Sequence, residues 1–320
     1  MTDYESIKLR GVYRSPSHLP IWEVMDKGGI WGQVGVEEVS LEYMADPPDA
    51  EAALFDSSID FISGNHITPY ALVAKGLPIV CLASPSNAVR DRVVSRELLT
   101  NLDELRGKRI ADQPLESRSA GFQHPTGNHM LFLRRAGVEP KEVTWVEIDA
   151  SGAALRAEQL EALKSGAADA CFATGGTEEY ERAGLHILEL ESLPMINGPT
   201  LTTSLDRLRA PDRLGERLVK ALVLAIHFAR TRREDTELIL EGLRRREPAA
   251  AGASSRSLLR MPLKPYPELT GIANAFELCL MKEPDAKSVS PLALWDLHYL
   301  RELDDSGFID NLYAGITGAA

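Results

Sequence analysis

The stretch Ile59-Asp60-Phe61-Ile62-Ser63-Gly64-Asn65-His66-Ile67-Thr68-Pro69-Tyr70-Ala71-Leu72-Val73-Ala74-Lys75-Gly76 holds a strand, an elbow and a helix in succession. Its first residues are apolar, of strand length and bounded by Gly64, which fits a parallel strand covered on both faces. Asn65-His66-Ile67-Thr68-Pro69 forms a polar elbow, and the residues after it read as a helix. The first N–H groups of a helix have no partner inside it and face whatever the elbow holds. Ligands of open α/β sheets sit at such strand ends, so this segment is read as one wall of a binding site.

Outward from it, strand and helix signals alternate. Upstream are a strand over residues 7–13, a loop from Arg14 to His18, and a helix opening near Pro20, where a missing N–H is tolerated. Gly28-Gly29 and the Gly32 to Gly35 region end that helix; a strand over 38–43 and a helix started by Pro47-Pro48-Asp49 follow. Downstream, Lys75-Gly76-Leu77-Pro78 turns the chain into an apolar strand over 79–83. Such a series of βα units predicts a parallel sheet with right-handed crossovers.

Residues 84–96 bring Pro85, Asn87 and several charges, and a crossing into a second lobe is expected there. In that lobe the pattern predicts a strand near 109–111, a polar loop over 112–125, and a helix from about Thr126 to Ala136. A strand over 143–148, a helix over 154–164 and strands over 168–173 and 186–190 complete it. Residues 52–60 (AALFDSSID) are echoed by 161–169 (EALKSGAAD), and each copy leads into an apolar strand ending in a small polar elbow: Ser63-Gly64-Asn65 and Ala173-Thr174-Gly175. The echo suggests two similar lobes. The β-rich run 199–204 returns the chain, and helices over 212–235, 236–246, 269–282 and 291–306 close it, with 249–256 as a Gly/Ala/Ser linker. The expected division is residues 1–88 for the first lobe, 89–200 for the second, and 201–320 for the return crossing and helices packing mainly on the first.

Composition narrows the function classes. A length of 320 residues with 44% apolar content marks a globular protein of roughly two domains. Thirty-five basic against 47 acidic residues give a net charge of −12, which opposes a nucleic-acid partner because that affinity rests on phosphate neutralisation. No apolar run is long enough to span a membrane. Met1 to Lys8 shows no leader pattern, so the chain is expected in the cytoplasm if this is its native full length, and outside it if a leader has been removed. Cys81, Cys171 and Cys279 are odd in number and set among apolar residues, so buried free thiols are expected.

The candidate ligand residues lie on the strand-end loops. Arg14 and Arg118 follow the first strands of the two lobes, and a guanidinium grips a carboxylate or sulfonate with two parallel bonds. The helix starts at Thr68 and Asn128 add N–H donors of the same polarity. His18, His66, His124 and His129 also fall near strand ends, where imidazole donates, accepts or ligates metal. Each has a competing structural reading as a loop histidine bonded to backbone. No metal site is expected, since His124 and His129 are five apart rather than four and no nearby carboxylate completes a set. Asp46, Asp112 and Glu116 are acid or base candidates whose ordinary reading is solvation or helix capping. No nucleophile elbow, phosphate loop or dinucleotide fingerprint appears, and no cofactor is expected.

Taken together, several segments resemble the solute-binding proteins of nitrate, sulfonate and taurine ABC transporters and their thiamine-pyrimidine synthase relatives. They are His18-Leu19-Pro20-Ile21, Lys27-Gly28-Gly29-Ile30 and Gly35-Val36, Ile59-Asp60-Phe61, Ala74-Lys75-Gly76-Leu77-Pro78-Ile79-Val80, Asp103 to Ile110, the residues Gly166, Asp169 and Ala170, and the ending from Leu300 to Gly307-Phe308-Ile309. The resemblance implies a two-lobed periplasmic-binding-protein type II fold with a small molecule held between lobes, and an ABC permease as partner if the chain is exported. The ligand contacts expected on this reading are Arg14, His18, Asn65, His66, Thr68, Ser84, Arg118, His124, Asn128, Thr174 and Gly175. The synthase relatives carry a Cys-rich block where this chain reads Leu193 to Pro199, so their chemistry does not transfer. Enzymes are known on this fold, including desulfinases and aromatic decarboxylases. The alternative is therefore a cytosolic lyase of an aromatic acid, with His18, His66 or His124 as general acid or base; whether the chain is an enzyme stays open at this stage.

Overall fold

The structure is a computed structural model, and it describes residues 5–114, 116–117, 121–122, 124–247, 250 and 254–314. The chain divides into two compact units: unit 1 takes residues 1–87 and 195–320, and unit 2 takes 88–194. The chain therefore passes between the units twice.

Unit 1 opens with strand β1 (Ile7–Tyr13), helices α1 (Leu19–Lys27) and α2 (Ile30–Gln33), and strand β2 (Val36–Tyr43). Helix α3 (Pro47–Phe55), strand β3 (Phe61–Ser63), helix α4 (Pro69–Ala74) and strand β4 (Ile79–Ala83) follow. Phe61 and Ile62 are fully buried, as the apolar run requires. The Phe61 ring lies 5.1 Å from Trp22, and a Cβ at Gly11 would run into it, so the bare Gly11 backbone on β1 makes room for the aromatic on its neighbour.

Unit 2 holds β5 (Ala88–Val89), β6 (Asp91–Ser95), β7 (Arg109–Asp112), the short pair β8 (Glu116–Ser117) and β9 (Gly121–Phe122), and helix α5 (His124–Arg135). It continues with β10 (Thr144–Glu147), α6 (Gly152–Ser165), β11 (Ala170–Thr174), α7 (Glu178–Arg182), β12 (His186–Glu189) and β13 (Leu193–Pro194). The chain then re-enters unit 1 as β14 (Leu201–Ser204), α8 (Leu205–Leu208), α9 (Leu214–Thr231), α10 (Arg233–Arg246), α11 (Ser255–Leu259), α12 (Leu269–Lys282), α13 (His298–Asp305) and α14 (Phe308–Tyr313). Among the described residues no helix is long and apolar enough to cross a membrane.

The two sheets follow one plan. Their strand orders are β2-β1-β3-β14-β4 and β10-β7-β11-β6-β12. In each, three parallel strands are followed by one antiparallel strand, β14 or β6. That strand is the departure from the wholly parallel series expected from the sequence. It arises because residues 91–95 and 201–204, close to the two crossings, enter their sheets from the opposite end.

The sequence echo is also an echo of hydrogen bonds. Asp60 N donates to Arg10 O at 2.7 Å while its carboxylate receives Arg10 N at 2.7 Å. In unit 2, Asp169 N donates to Arg109 O at 2.8 Å and its carboxylate receives Arg109 N at 2.9 Å. Each aspartate thus locks the start of the third strand to the first. The turns before them match too, with Ser57 and Gly166 at φ +64° and +79° and Ile59 and Ala168 both donating back to an alanine carbonyl.

Other sequence expectations need adjustment. The helix over 212–235 breaks at Arg232, whose φ of −117° and ψ of 59° leave the helical region and start α10. The helix over 291–306 is split, because Asp296 N bonds Cys81 O at 3.0 Å and holds residues 295–296 extended along β4. Residues 84–96, where a crossing is expected, also hold strands β5 and β6. The expected linker 249–256 falls partly outside the described residues. Cys81, Cys171 and Cys279 are buried free thiols, and burial raises all three, Cys279 to about 11 and Cys81 to about 12.

Candidate functional site

In unit 1 the ends of β1 and β3 bring the opening stretch together with the loop after β1. Gly64 takes φ +91°, and a side chain there would collide with the His18 ring, so glycine is required both for the turn and for the close approach. His18 is buried on that glycine, and its Nδ1 donates to Ser63 O at 3.0 Å. Trp22 Nε1 donates to Ser63 Oγ at 2.8 Å. Both the carbonyl and the hydroxyl of the strand end are thus engaged from α1 and the turn before it.

Arg14 crosses the same elbow. Its backbone N–H meets Ser63 O at 3.1 Å, Nη1 donates to Asn65 Oδ1 at 2.9 Å, and Nη2 donates to Ala45 O at 2.8 Å. Its Nε is buried with no hydrogen-bond partner, and no described carboxylate lies within ion-pair distance of it. Burial lowers the guanidinium to about 10, against the pull of Glu51 and Asp46, so it stays charged at neutral pH. A buried cationic donor without an acceptor is costly, which makes this a place that favours an anion. Asp46, at the start of α3, is raised from its ordinary value by burial and by Asp49, with Arg14 opposing.

Asn65 and Thr68 are committed inward. Asn65 Nδ2 donates to Glu51 Oε1 at 2.9 Å, and Thr68 Oγ1 lies 2.5 Å from the same oxygen and 3.0 Å from Asn65 Oδ1. The Asn65 carbonyl accepts from Thr202 Oγ1 at 2.6 Å. Burial raises the Glu51 carboxyl, opposed by the bonds from Thr68 and Asn65 and by Arg14. Thr200 is wholly buried beside this elbow; its carbonyl takes Gly64 N at 2.9 Å while its hydroxyl has no partner. His66 is buried beside Asn65, and Ser84 is buried with its Oγ on Ser86 O at 3.0 Å.

Unit 2 carries a second polar cluster. His129, on α5, is buried between two buried carboxylates: Nδ1 is 2.5 Å from Asp112 Oδ2, and Nε2 is 3.4 Å from Asp91 Oδ2. The second contact is close enough for an ion pair but not aligned as a hydrogen bond. The imidazole stacks on Phe172 at 4.3 Å. Burial opposes its charge, yet the two aspartates outweigh burial and hold it at about 9. Thr174 Oγ1, at the end of β11, donates to Asp91 Oδ1 at 2.6 Å. Gly175 beside it takes φ +92°, the counterpart of Gly64, and its carbonyl receives Arg92 Nη1 at 2.6 Å. Asn128 is buried on the same helix. Arg118 lies outside the described residues, and for His124 and Glu116 only the backbone is described.

The structure therefore gathers Arg14, His18, Asn65, His66 and Thr68 in unit 1, and places Asn128, Thr174 and Gly175 in unit 2. Sequence reasoning missed Glu51, Asp91, Trp22 and Thr200. Glu51 was detectable: buried residues Pro47, Ala50, Glu51 and Leu54 form the inward stripe of α3, and a carboxylate in such a stripe marks a polar task.

No protein-family model and no curated protein sequence matches the chain. Solved structures do. A protein from Methylobacillus flagellatus KT, described as the periplasmic sulfonate-binding protein SsuA of a sulfonate ABC transporter, is 16% identical with a TM-score of 0.66, covering 96% of this chain and 97% of that one. The alkanesulfonate-binding protein SsuA from Xanthomonas axonopodis pv. citri, bound to MOPS, is 18% identical with a TM-score of 0.57, covering 91% and 98%. The desulfurization enzyme DSZB is 15% identical with a TM-score of 0.58, covering 93% and 99%. At such identities the likeness is one of fold: the chain has the two-lobed, mixed α/β periplasmic-binding-protein type II fold.

Proposed function

We propose that this protein binds a small organic anion, a sulfonate or carboxylate, as the solute-binding component of an ABC-type transporter, with Arg14 as the anion-holding group. The observation that carries the reading is the charged, half-buried Arg14 guanidinium, which meets only neutral acceptors and keeps a buried, unpartnered Nε. The sulfonate-binding neighbours support the ligand class. A lyase reading draws on the desulfurization enzyme's fold, but His18, its first candidate base, has Nδ1 spent on the Ser63 carbonyl and its ring packed on Gly64.

Titration calorimetry with MOPS, short alkanesulfonates and aromatic carboxylates tests the proposal. At least one anion is expected to bind without product appearing. Arg14→Met is expected to weaken it roughly 10- to 150-fold, the equivalent of about 1.5–3 kcal/mol for hydrogen bonds to a charged group. Heat from none of the anions, or equal affinity in Arg14→Met, would overturn the assignment.

A further inference from the structure

Glu51 makes no ion pair with Arg14, yet it determines which way the group between them points. The Asn65 side chain has a donor end and an acceptor end, and only one orientation serves Arg14. A carboxylate offers no proton, so Glu51 Oε1 can only receive the Asn65 amide N–H, at 2.9 Å. That turns Asn65 Oδ1 toward Arg14 Nη1, at 2.9 Å. With the amide reversed, its NH2 would face the guanidinium, donor against donor, and its oxygen would face a carboxylate. The Thr68 hydroxyl reinforces the arrangement by reaching the same Glu51 oxygen at 2.5 Å, while Asn65 Oδ1 stays within 3.0 Å of it. Ala45 O fixes the other arm of the guanidinium at 2.8 Å.

We propose that Glu51 is a positioning residue for anion binding: through the Asn65 amide it fixes the Arg14 guanidinium with Nε unspent, so that the ligand, not the protein, completes its donors. The proposal rests on the reading of Arg14 as the anion-holding group. It explains why an acidic side chain is buried next to a site for anions, where its charge alone works against the ligand. It also assigns Asn65 and Thr68 to holding Arg14 rather than to touching ligand with their side chains.

The test measures affinity for the tightest-binding sulfonate or carboxylate, by calorimetry, in wild type, Glu51→Gln and Glu51→Met, with thermal midpoints recorded for each. Glutamine offers the same oxygen to Asn65 and Thr68 without the charge that opposes the anion, so Glu51→Gln is expected to bind at least as tightly as wild type to within about threefold. Methionine fills the space without an acceptor, and Glu51→Met is expected to bind about tenfold more weakly; Glu51→Ser stands in if the methionine variant does not fold. Both variants remove the charge and keep the volume, so rescue by glutamine separates loss of the acceptor from loss of the charge. A Glu51→Met affinity equal to wild type, or a Glu51→Gln affinity more than threefold weaker than wild type, overturns the proposal. Unchanged affinity in Arg14→Met would overturn instead the anion-holding role on which it rests.

Discussion

Replacing Arg217 with methionine is expected to destabilise unit 1 by about 3–5 kcal/mol, the range found when one partner of a buried ionic or hydrogen-bonded network is removed. Arg217 lies in the first turn of α9 and is only 2% exposed. Its Nε donates to Asp212 O at 2.7 Å, Nη1 to Val34 O at 3.0 Å and Gly35 O at 2.7 Å, and Nη2 to Glu5 O at 2.8 Å. One planar fork therefore ties the chain entering β1, the turn between α2 and β2, and the segment entering α9. Methionine matches the length of the side chain but leaves four carbonyls without this donor. Lysine is expected to recover less than half of the loss, because a point charge cannot serve four acceptors spread in a plane. The measurement is the unfolding midpoint, expected to fall by roughly 6–15 °C at about 2–3 °C per kcal/mol for a chain of this size, together with hydrogen exchange in α9. A midpoint within 2 °C of wild type in Arg217→Met would show that the fork is dispensable.

Arg217 also shows where sequence reading stops. In the helical pattern over 212–235 it is one more charge between apolar positions, and nothing local says that it points inward, because three of its four acceptors come from segments distant in sequence. The βα alternation of unit 1 was legible, since the buried strands at Phe61-Ile62 and 79–83 are continuous apolar runs and Pro47 and Pro69 open the helices before and after the first of them. Strand direction was not. A run such as Leu201-Thr202-Thr203-Ser204 has the same composition whichever way it enters the sheet, so the antiparallel β14 could be read as a strand but not oriented. Arg232 ends α9 without a Gly or Pro to mark it.

The candidate site was legible to the same depth. Arg14 and Asn65 follow from position alone, because a loop directly after a buried strand must surface at the strand's carboxyl end. Gly64 and Gly175 were visible as elbows, and their shared left-handed φ shows that the echo between the lobes is geometric. The partners that give these residues their chemistry were hidden. Asp91 stands among Arg90 and Arg92 and reads as part of a solvated run, yet it is 3% exposed because β6 enters the sheet there. A charged tripeptide carries no signal that its middle member turns inward.

That hidden aspartate leads to the expectation that unit 2 loses stability in mildly alkaline solution. His129 is held at about 9 between Asp112 and Asp91, whereas an unfolded histidine titrates near 6.5. Because the folded value is raised, the stabilisation is fully present below pH 6.5 and is lost as the pH climbs through 9. Its size is up to about 3 kcal/mol by the conversion of about 1.4 kcal/mol per pH unit. The groups packed against the imidazole are the two carboxylates on β6 and β7 and the Phe172 ring on β11, so loss of the proton leaves two buried negative charges facing a neutral ring. Thr174 remains on Asp91 but brings no charge. Urea unfolding of unit 2, followed through Trp145 at pH 6 and pH 9.5, is expected to show this loss in wild type, and His129→Gln is expected to be less stable at pH 6 and nearly flat across the same window. A flat wild-type profile, or an unchanged slope in His129→Gln, would show that the imidazole is not the proton carrier that binds α5 to the two strands.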